Sequence, residues 1–305
     1  MSAAAGPTMV DRACPVCGSN EQRLFAEQNV DFEKLDAFAF ASRKLPEYMH
    51  WRLVECSQCE LLYASPVPAK DFLHANYRAA AFDSGPEAVL ASETYARELR
   101  RFVGRLPDRN GAVDIGTGEG AFLKRLLELG FNNVVGFEPS IAPIEQASAG
   151  IRPLIQHGLF DATELPKNAY SLVSCFQTIE HVAEPGRLAE DALRLLKSGG
   201  AFMIVCHNRK ALSAKLLGRR SPIFDVEHLQ LFSPKSIRRL LEANGYTNVT
   251  VRRLVNAYPL NYWLRLFPLP RSLKRGAQRA TTAIRTDKLL VPLPAGNLVA
   301  YGFKL

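Results

Sequence analysis

The chain has 305 residues, 47% of them hydrophobic, and carries 38 lysines and arginines against 30 acids, a formal charge of +8. That length exceeds the usual single-domain size, so a main domain with one appendage is expected. No apolar run approaches the roughly 18 residues that span a bilayer, and Met1 to Asp11 has neither a basic start nor an apolar core, so a soluble, cytoplasmic protein is the expectation.

Four of the six cysteines come early, as Cys14-Pro-Val-Cys17 and Cys56-Ser-Gln-Cys59 with 38 residues between the pairs. Two C-x-x-C knuckles supply four soft thiolates, the donor set of tetrahedral zinc, and Gly18 fits a knuckle turn. Two disulfides or a redox C-x-x-C are the alternatives; the first does not suit a chain without a secretion signal, and the second is not expected in duplicate. The spacer is longer than in compact zinc ribbons, so it must fold as its own excursion. Residues 1 to 80 are therefore expected to form a zinc-knuckle module and linker, closing where Pro66 and Pro68 stop regular structure. Cys175 and Cys206 sit in apolar runs and read as core.

A helix is predicted over Pro86 to Leu106, from the spacing of Val89, Leu90, Tyr95, Leu99, Phe102 and Val103. Strand and helix signals then alternate from Ala112 to Leu254, the pattern of a parallel sheet with helices on both faces. The most informative stretch is Val113-Asp114-Ile115-Gly116-Thr117-Gly118-Glu119-Gly120, followed by the amphipathic run Ala121 to Leu129 and by Val134-Val135-Gly136-Phe137-Glu138-Pro139. It reads as a strand, a glycine turn, a helix and a second strand ending in a carboxylate. Glycines 116, 118 and 120 let the backbone approach a ligand at the end of the strand, where doubly wound sheets bind cofactors. Glu138 is placed to take two ribose hydroxyls. A pyrophosphate fits poorly, because Glu119 inside the turn would repel it. A cofactor without phosphates fits better, such as S-adenosylmethionine, whose positive end Asp114 can answer.

These residues resemble a class I S-adenosylmethionine-dependent methyltransferase. The resemblance continues through Tyr170 to Gln177, Thr178-Ile179-Glu180-His181-Val182, a helix over Pro185 to Lys197, Ser198-Gly199-Gly200 and the strand Ala201 to Val205. It covers roughly Tyr95 to Leu254, and Asn297 to Leu305 is similar to the family's last, antiparallel strand. The implied fold is α/β, a doubly wound, Rossmann-like, seven-stranded methyltransferase sheet over residues 81 to 305. The implied cofactor is S-adenosylmethionine, held by Asp114, Gly116, Thr117, Gly118, Gly120, Glu138 and Pro139, with Gln177 and Thr178 on its methionine side. Asp161, in Asp161-Ala162-Thr163-Glu164-Leu165-Pro166, resembles the acid that reaches the adenine amino group. Ser233 and Pro234 start a further helix that Asn244-Gly245 ends.

Methyl transfer needs mainly a held nucleophile, with a base as an aid. His181, after the fourth strand, and His228, in Asp225-Val226-Glu227-His228-Leu229, are the candidates. Each has a structural alternative, as a loop-anchoring histidine. Asp225 and Glu227 are placed to orient the His228 imidazole or to hold a divalent ion.

The positive charge is concentrated near residues 206–232 and 256–292, which read as basic insertions. Cys206 to Phe224 holds Arg209, Lys210, Lys215, Arg219 and Arg220 without an acid; Tyr258 to Leu290 holds Arg265, Arg271, Lys274, Arg275, Arg279, Arg285 and Lys288 against Asp287 alone. The second also carries Tyr258, Tyr262, Trp263, Leu264, Leu266 and Phe267. This mixture points to an anionic partner: a nucleotide- or lipid-linked substrate, RNA, or a membrane surface contacted through 258–290. A solvated helical face is the alternative. Cysteine pairs ahead of such a core resemble bacterial enzymes that methylate sugars and other small molecules, implying O-methylation of a small molecule on an anionic carrier. An RNA methyltransferase acting on ring nitrogen is the rival reading, since Phe176-Gln177-Thr178-Ile179 lacks the Asn/Asp-Pro-Pro-aromatic clamp of exocyclic amine methylation. A non-catalytic module that lost its cofactor is made improbable by intact Asp114, Gly116, Gly118 and Glu138.

Overall fold

The computed structural model describes residues 6–35, 38–40, 47–83, 85–266, 271–283, 286 and 289–305. Phe267, Arg285, Asp287 and Lys288 lie outside the described residues.

Seven strands form the central sheet. In chain order they are Asn110–Ile115, Asn132–Glu138, Ile155–His157, Tyr170–Phe176, Leu196–His207, Thr247–Pro259 and Leu290–Phe303; across the sheet they run sixth, seventh, fifth, fourth, first, second, third. The seventh is antiparallel to both neighbours, and the pairs among the first five are parallel. Every residue of Tyr170–Phe176 is buried, as expected of a strand covered by helices on both faces. Val113 lies between Val135 and Val173, fixing the register at the centre. The strand order reverses between the first and fourth strands, and the crevice above their carboxyl ends is where such sheets bind ligands.

The helices follow the expected signals with small shifts. The predicted helix at 86–106 is Gly85–Arg100 with a short 3-10 turn at Val103–Arg105. The helix expected to run to Lys197 ends at Leu195, because Leu196 already pairs with Tyr170 as the start of the fifth strand. Pro234–Ala243 is capped by Ser233, whose hydroxyl accepts from Ser236 N.

Segments before and after residue 80 share a sheet and a core. A second sheet is built from Gln22–Ala26, Leu53–Cys56, Leu62–Ala64 and a two-residue strand, Gln230–Leu231, supplied by the supposed basic insertion. Its apolar side chains are continuous with the main core: Val54, Leu61 and Tyr63 share one cluster with Val113, Phe202 and Leu240. A separate cluster joins Trp51, Leu53 and Leu62 to Ile223, Phe224 and Val226. Arg12 bolts the parts together. Its guanidinium donates to the carbonyls of Ala64 (2.9 Å), Ala183 (2.7 Å) and Leu229 (2.9 Å), and to Gln230 Oε1 (3.1 Å). Burial lowers its pKa to about 10, still leaving it charged at neutral pH.

The other basic stretch is largely an extension of the sheet. Asn256 to Pro259 pairs with Leu290 to Leu293, and the helices Leu260–Leu266 and Arg271–Ala283 are carried between these strands.

Candidate functional site

The first strand delivers Asp114 to the edge of the crevice, where the chain turns sharply. Gly116, Gly118 and Gly120 all have positive φ, the region that favours glycine. Their roles differ. A Cβ on Gly116 would lie 2.2 Å from Thr178 Oγ1, so this glycine lets the first and fourth strand ends approach. A Cβ on Gly120 would lie 2.4 Å from Ile151 Cγ2, which makes Gly120 a packing glycine behind the turn. At Gly118 nothing stands within 4 Å, and its N–H donates to Glu138 Oε2 at 2.9 Å.

Glu138 ends the second strand and is buried. Its other oxygen accepts from Ser140 N at 3.0 Å. Burial is the main force on its carboxyl and raises the pKa to about 7, against the two backbone donors that favour the anion. Asp114, held by Ser174 Oγ (2.6 Å) and Thr117 Oγ1 (2.8 Å), is raised by burial to about 6. Two acids thus sit in the crevice with pKa values close to neutrality.

Across the crevice stand three imidazoles. His181 and His228 have ring centroids 5.0 Å apart, and His207, at the end of the fifth strand, is again 5.0 Å from His228. The Nδ1 of His181 meets the carbonyl of Glu227 at 3.0 Å, and that of His228 meets the carbonyl of Ile223 at 2.9 Å. A carbonyl only accepts, so each Nδ1 donates. Burial lowers the pKa of His181, and that of His207 to about 4, so both are neutral near pH 7. His207 Nδ1 lies 3.0 Å from Asn297 Oδ1. Tyr77 packs edge-on against His181 and donates its hydroxyl to the Glu227 carbonyl at 3.0 Å.

Both walls bound one cavity of about 730 Å³. Asp114, Gly116, Thr117, Gly118, Glu138, Pro139, Gln177, Thr178, His181 and His228 all line it. Gly120 and Asp161 do not. Asp161 is exposed and caps the turn at Ala162–Glu164, accepting from Thr163 N (2.8 Å) and Thr163 Oγ1 (2.7 Å); its neighbour Phe160 is the residue on the wall. Tyr258, Tyr262 and Trp263 of the second basic segment also face the cavity, yet no lysine or arginine lines it among the described residues. Buried Gln177 Nε2 and Asn256 Oδ1 have no hydrogen-bond partner, so the cavity presents a donor and an acceptor that a ligand can satisfy.

Glu180 does not line the cavity. Fully buried, it accepts from His207 N at 2.7 Å, and its own carbonyl receives Leu229 N and Gln230 N. It ties three chain segments together. Asp225 likewise accepts from Glu47 N (2.9 Å) and Val226 N (2.8 Å), so it anchors its loop. Among the described residues Asp225 and Glu227 form no metal-ligand group with a third residue, and the grouping with metal-ligand geometry is Cys14, Cys17, Cys56 and Cys59.

Those four thiols lie within 4.8 Å of one another, with Cys14–Cys59 and Cys17–Cys56 sulfur separations of 3.5 Å. Such distances are far beyond a disulfide bond of about 2.05 Å. Gly18 takes φ +72° and donates to the Cys14 carbonyl, closing the first knuckle. Cys175 and Cys206 are fully buried core residues.

A family profile described as "Methyltransferase domain" matches residues 90–251, just over half of the chain. The chain belongs to this methyltransferase-domain family. A Mycolicibacterium smegmatis protein named probable S-adenosylmethionine-dependent methyltransferase is 27% identical over 153 residues, covering 50% of this chain and 56% of that protein. A Caulobacter vibrioides protein named ubiquinone biosynthesis O-methyltransferase is 29% identical over 160 residues, covering 44% and 62%. The chain thus spans less than two thirds of the length of these curated relatives. A solved Archaeoglobus fulgidus structure described as a SAM-dependent methyltransferase is 17% identical with a TM-score of 0.48, covering 77% of this chain and all of that one. The cavity residues that the sequence alone did not single out are His207, Tyr77, Asn256 and Asn297.

Proposed function

We propose that the protein transfers a methyl group from S-adenosylmethionine to a hydroxyl of a small molecule such as a sugar. The observation that carries this reading is a single cavity with the glycine turn and Glu138 on one side and the imidazoles of His181 and His228 on the other. Its volume of about 730 Å³ lies within the range of small-molecule sites.

The residues fit the cofactor. Gly118 leaves its backbone open to a ligand, Glu138 offers carboxylate lone pairs to ribose hydroxyls, and Gln177 Nε2 is a buried donor awaiting an acceptor. When bound, S-adenosylmethionine supplies an activated methyl for in-line displacement from sulfur. The chain's task is to hold the acceptor oxygen in line and to take its proton. His228 Nε2 is the proton acceptor, with Glu227 Oε1 3.6 Å away to stabilise the imidazolium that forms. His181, neutral and fixed by the Glu227 carbonyl, orients the hydroxyl or serves as the alternative base.

Among the described residues no lysine or arginine lines the wall, which favours an uncharged group in the cavity with any anionic carrier outside it. We further infer that the four cysteines hold a structural zinc. A Zn–S bond of about 2.3 Å in a tetrahedron places the sulfurs about 3.8 Å apart, close to the separations seen, and four thiols leave no open catalytic position.

Calorimetric titration with S-adenosylhomocysteine tests the cofactor reading: tight binding is expected, strongly weakened in Glu138→Ala. No binding by the wild type would end the methyltransferase proposal. Labelled methyl transfer into neutral sugars, their nucleotide-linked forms and RNA then separates oxygen methylation of a small molecule from the RNA reading.

A further inference from the structure

Among the described residues no lysine or arginine lines the cavity that should hold the substrate. Pro222 and Ile223 from one basic segment and Tyr258, Tyr262 and Trp263 from the other reach the wall, whereas Arg209, Lys210, Lys215, Arg219, Arg220, Arg275 and Arg279 do not. The charge must therefore serve a contact outside the cavity, or only solvation.

What is exposed beside it separates the possible partners. An RNA surface needs stacking aromatics interleaved with the cations. Here Tyr258 is buried, Tyr262 and Trp263 face the cavity, and the Trp263 indole donates to the Val291 carbonyl at 2.8 Å. Leucines are exposed instead. Of nine exposed leucines among the described residues, five lie in these two segments and Leu293 directly follows the second, which places an apolar surface and the positive charge together. On the helix Leu212–Leu217, Leu212 and Leu216 are one turn apart and 71% and 77% exposed, with Lys215, Arg219 and Arg220 also exposed. On the sheet extension, Leu289, Leu290 and Leu293 are exposed, and Arg275 and Arg279 are exposed on the helix that precedes them. The two sites adjoin, since a Cβ on Gly296 of the seventh strand would lie 3.1 Å from Ser213 Oγ.

We propose that the helix Leu212–Leu217 and the extension carrying Leu289, Leu290 and Leu293 form a docking face for an anionic lipid surface. The leucines enter the interface between headgroups and acyl chains while the arginines and lysines meet the negative headgroups. No helix of the described residues is long and apolar enough to cross a membrane, so this contact is peripheral. It rests on the proposed methyl-transfer site in one respect, that both segments also wall that cavity, so an acceptor borne by a lipid could enter it from the docked face.

Co-sedimentation of the full chain with phosphatidylglycerol vesicles and with phosphatidylcholine vesicles tests the proposal. Sedimentation with the anionic vesicles alone, declining with added salt, is expected. Leu212→Ser/Leu216→Ser and Leu289→Ser/Leu290→Ser should each weaken it by roughly tenfold or more, from the apolar burial lost. No sedimentation of the wild type would overturn the proposal, as would equal binding by both double variants. Binding to an RNA hairpin but not to vesicles would reassign the face to nucleic acid. S-adenosylhomocysteine affinity measured on the same preparations must stay at the wild-type value; its loss would show misfolding or a failed cofactor reading and is scored separately from docking.

Discussion

The near-neutral pKa of Glu138 makes cofactor affinity a steep function of pH. Ribose hydroxyls donate to the anion, so binding selects the ionised form and must displace a proton wherever Glu138 holds one. With a pKa of about 7 for Glu138 and about 6 for Asp114, occupancy of the doubly ionised state falls roughly 20-fold from pH 8 to pH 6 if the two titrate independently. Affinity for S-adenosylhomocysteine should weaken by that factor. In Glu138→Gln only Asp114 still titrates, so the dependence should shrink to roughly twofold, on a lower overall affinity. The stability of the ligand-free protein runs the other way. A carboxyl raised from 4.5 to about 7 holds its proton more tightly when folded, so stability falls as pH rises from 4.5 to 7, by about 3 kcal/mol from this group. Calorimetry at pH 6, 7 and 8 with urea unfolding on the same samples measures both slopes. An affinity independent of pH in the wild type, or the same slope in Glu138→Gln, would refute the burial argument.

Other outcomes follow from the same geometry. Gly116→Ala should cost about 2 kcal/mol or more in urea unfolding, from backbone strain and collision with Thr178, whereas Gly118→Ala, open to the cavity, should cost about 1 kcal/mol and act mainly on cofactor affinity. Elemental analysis should find one zinc per chain, lost in Cys14→Ser/Cys56→Ser, and chelation should lower the unfolding midpoint of the whole chain because the cluster shares the main core. Arg12→Met removes a donor from the carbonyls of Ala64 and Ala183 and from Gln230 Oε1, while Leu229 O keeps Ala64 N, and should destabilise by about 3 kcal/mol, read from denaturant midpoints. Once an acceptor is in hand, His228→Gln or His181→Gln should lower turnover by roughly 10² to 10⁴ with cofactor affinity nearly intact; a few-fold effect from both would leave positioning alone as the source of rate.

The parts of the site that were legible in the sequence are those whose partners are close along the chain. Asp114, the glycine turn and Glu138 lie within 25 residues, and strand, turn and strand fix their relation. The same holds for the capped helix at Ser233 and for the knuckle turn at Gly18. Asp161 is a position the sequence leaves undecided, because a loop acid looks the same whether it faces a ligand or caps its own turn, and here it caps the turn. His207 was missed because it merely ends an apolar run. A signal for it existed: the fourth and fifth strands are parallel neighbours, so the first polar side chain after Val205 must emerge near the one that carries His181.

The basic insertions show a different limit. Composition records charge but not pairing, and a two-residue strand such as Gln230–Leu231 has no periodicity to detect. Yet that strand makes the cysteine module part of the site. Leu62 and Tyr63 pair with it, Trp51 donates from its indole to the Val226 carbonyl at 2.7 Å, Glu47 N reaches Asp225, and Tyr77 reaches the Glu227 carbonyl. Each contact holds the loop that presents His228. The cysteine cluster fixes Cys56 and Cys59 at the turn joining strands Leu53–Cys56 and Leu62–Ala64, the second of which pairs with Gln230–Leu231, so ordering it helps order the loop. A metal far from the chemistry would then act on turnover by setting the position of an imidazole, and its removal should disturb His228 before it disturbs the glycine cradle on the opposite wall.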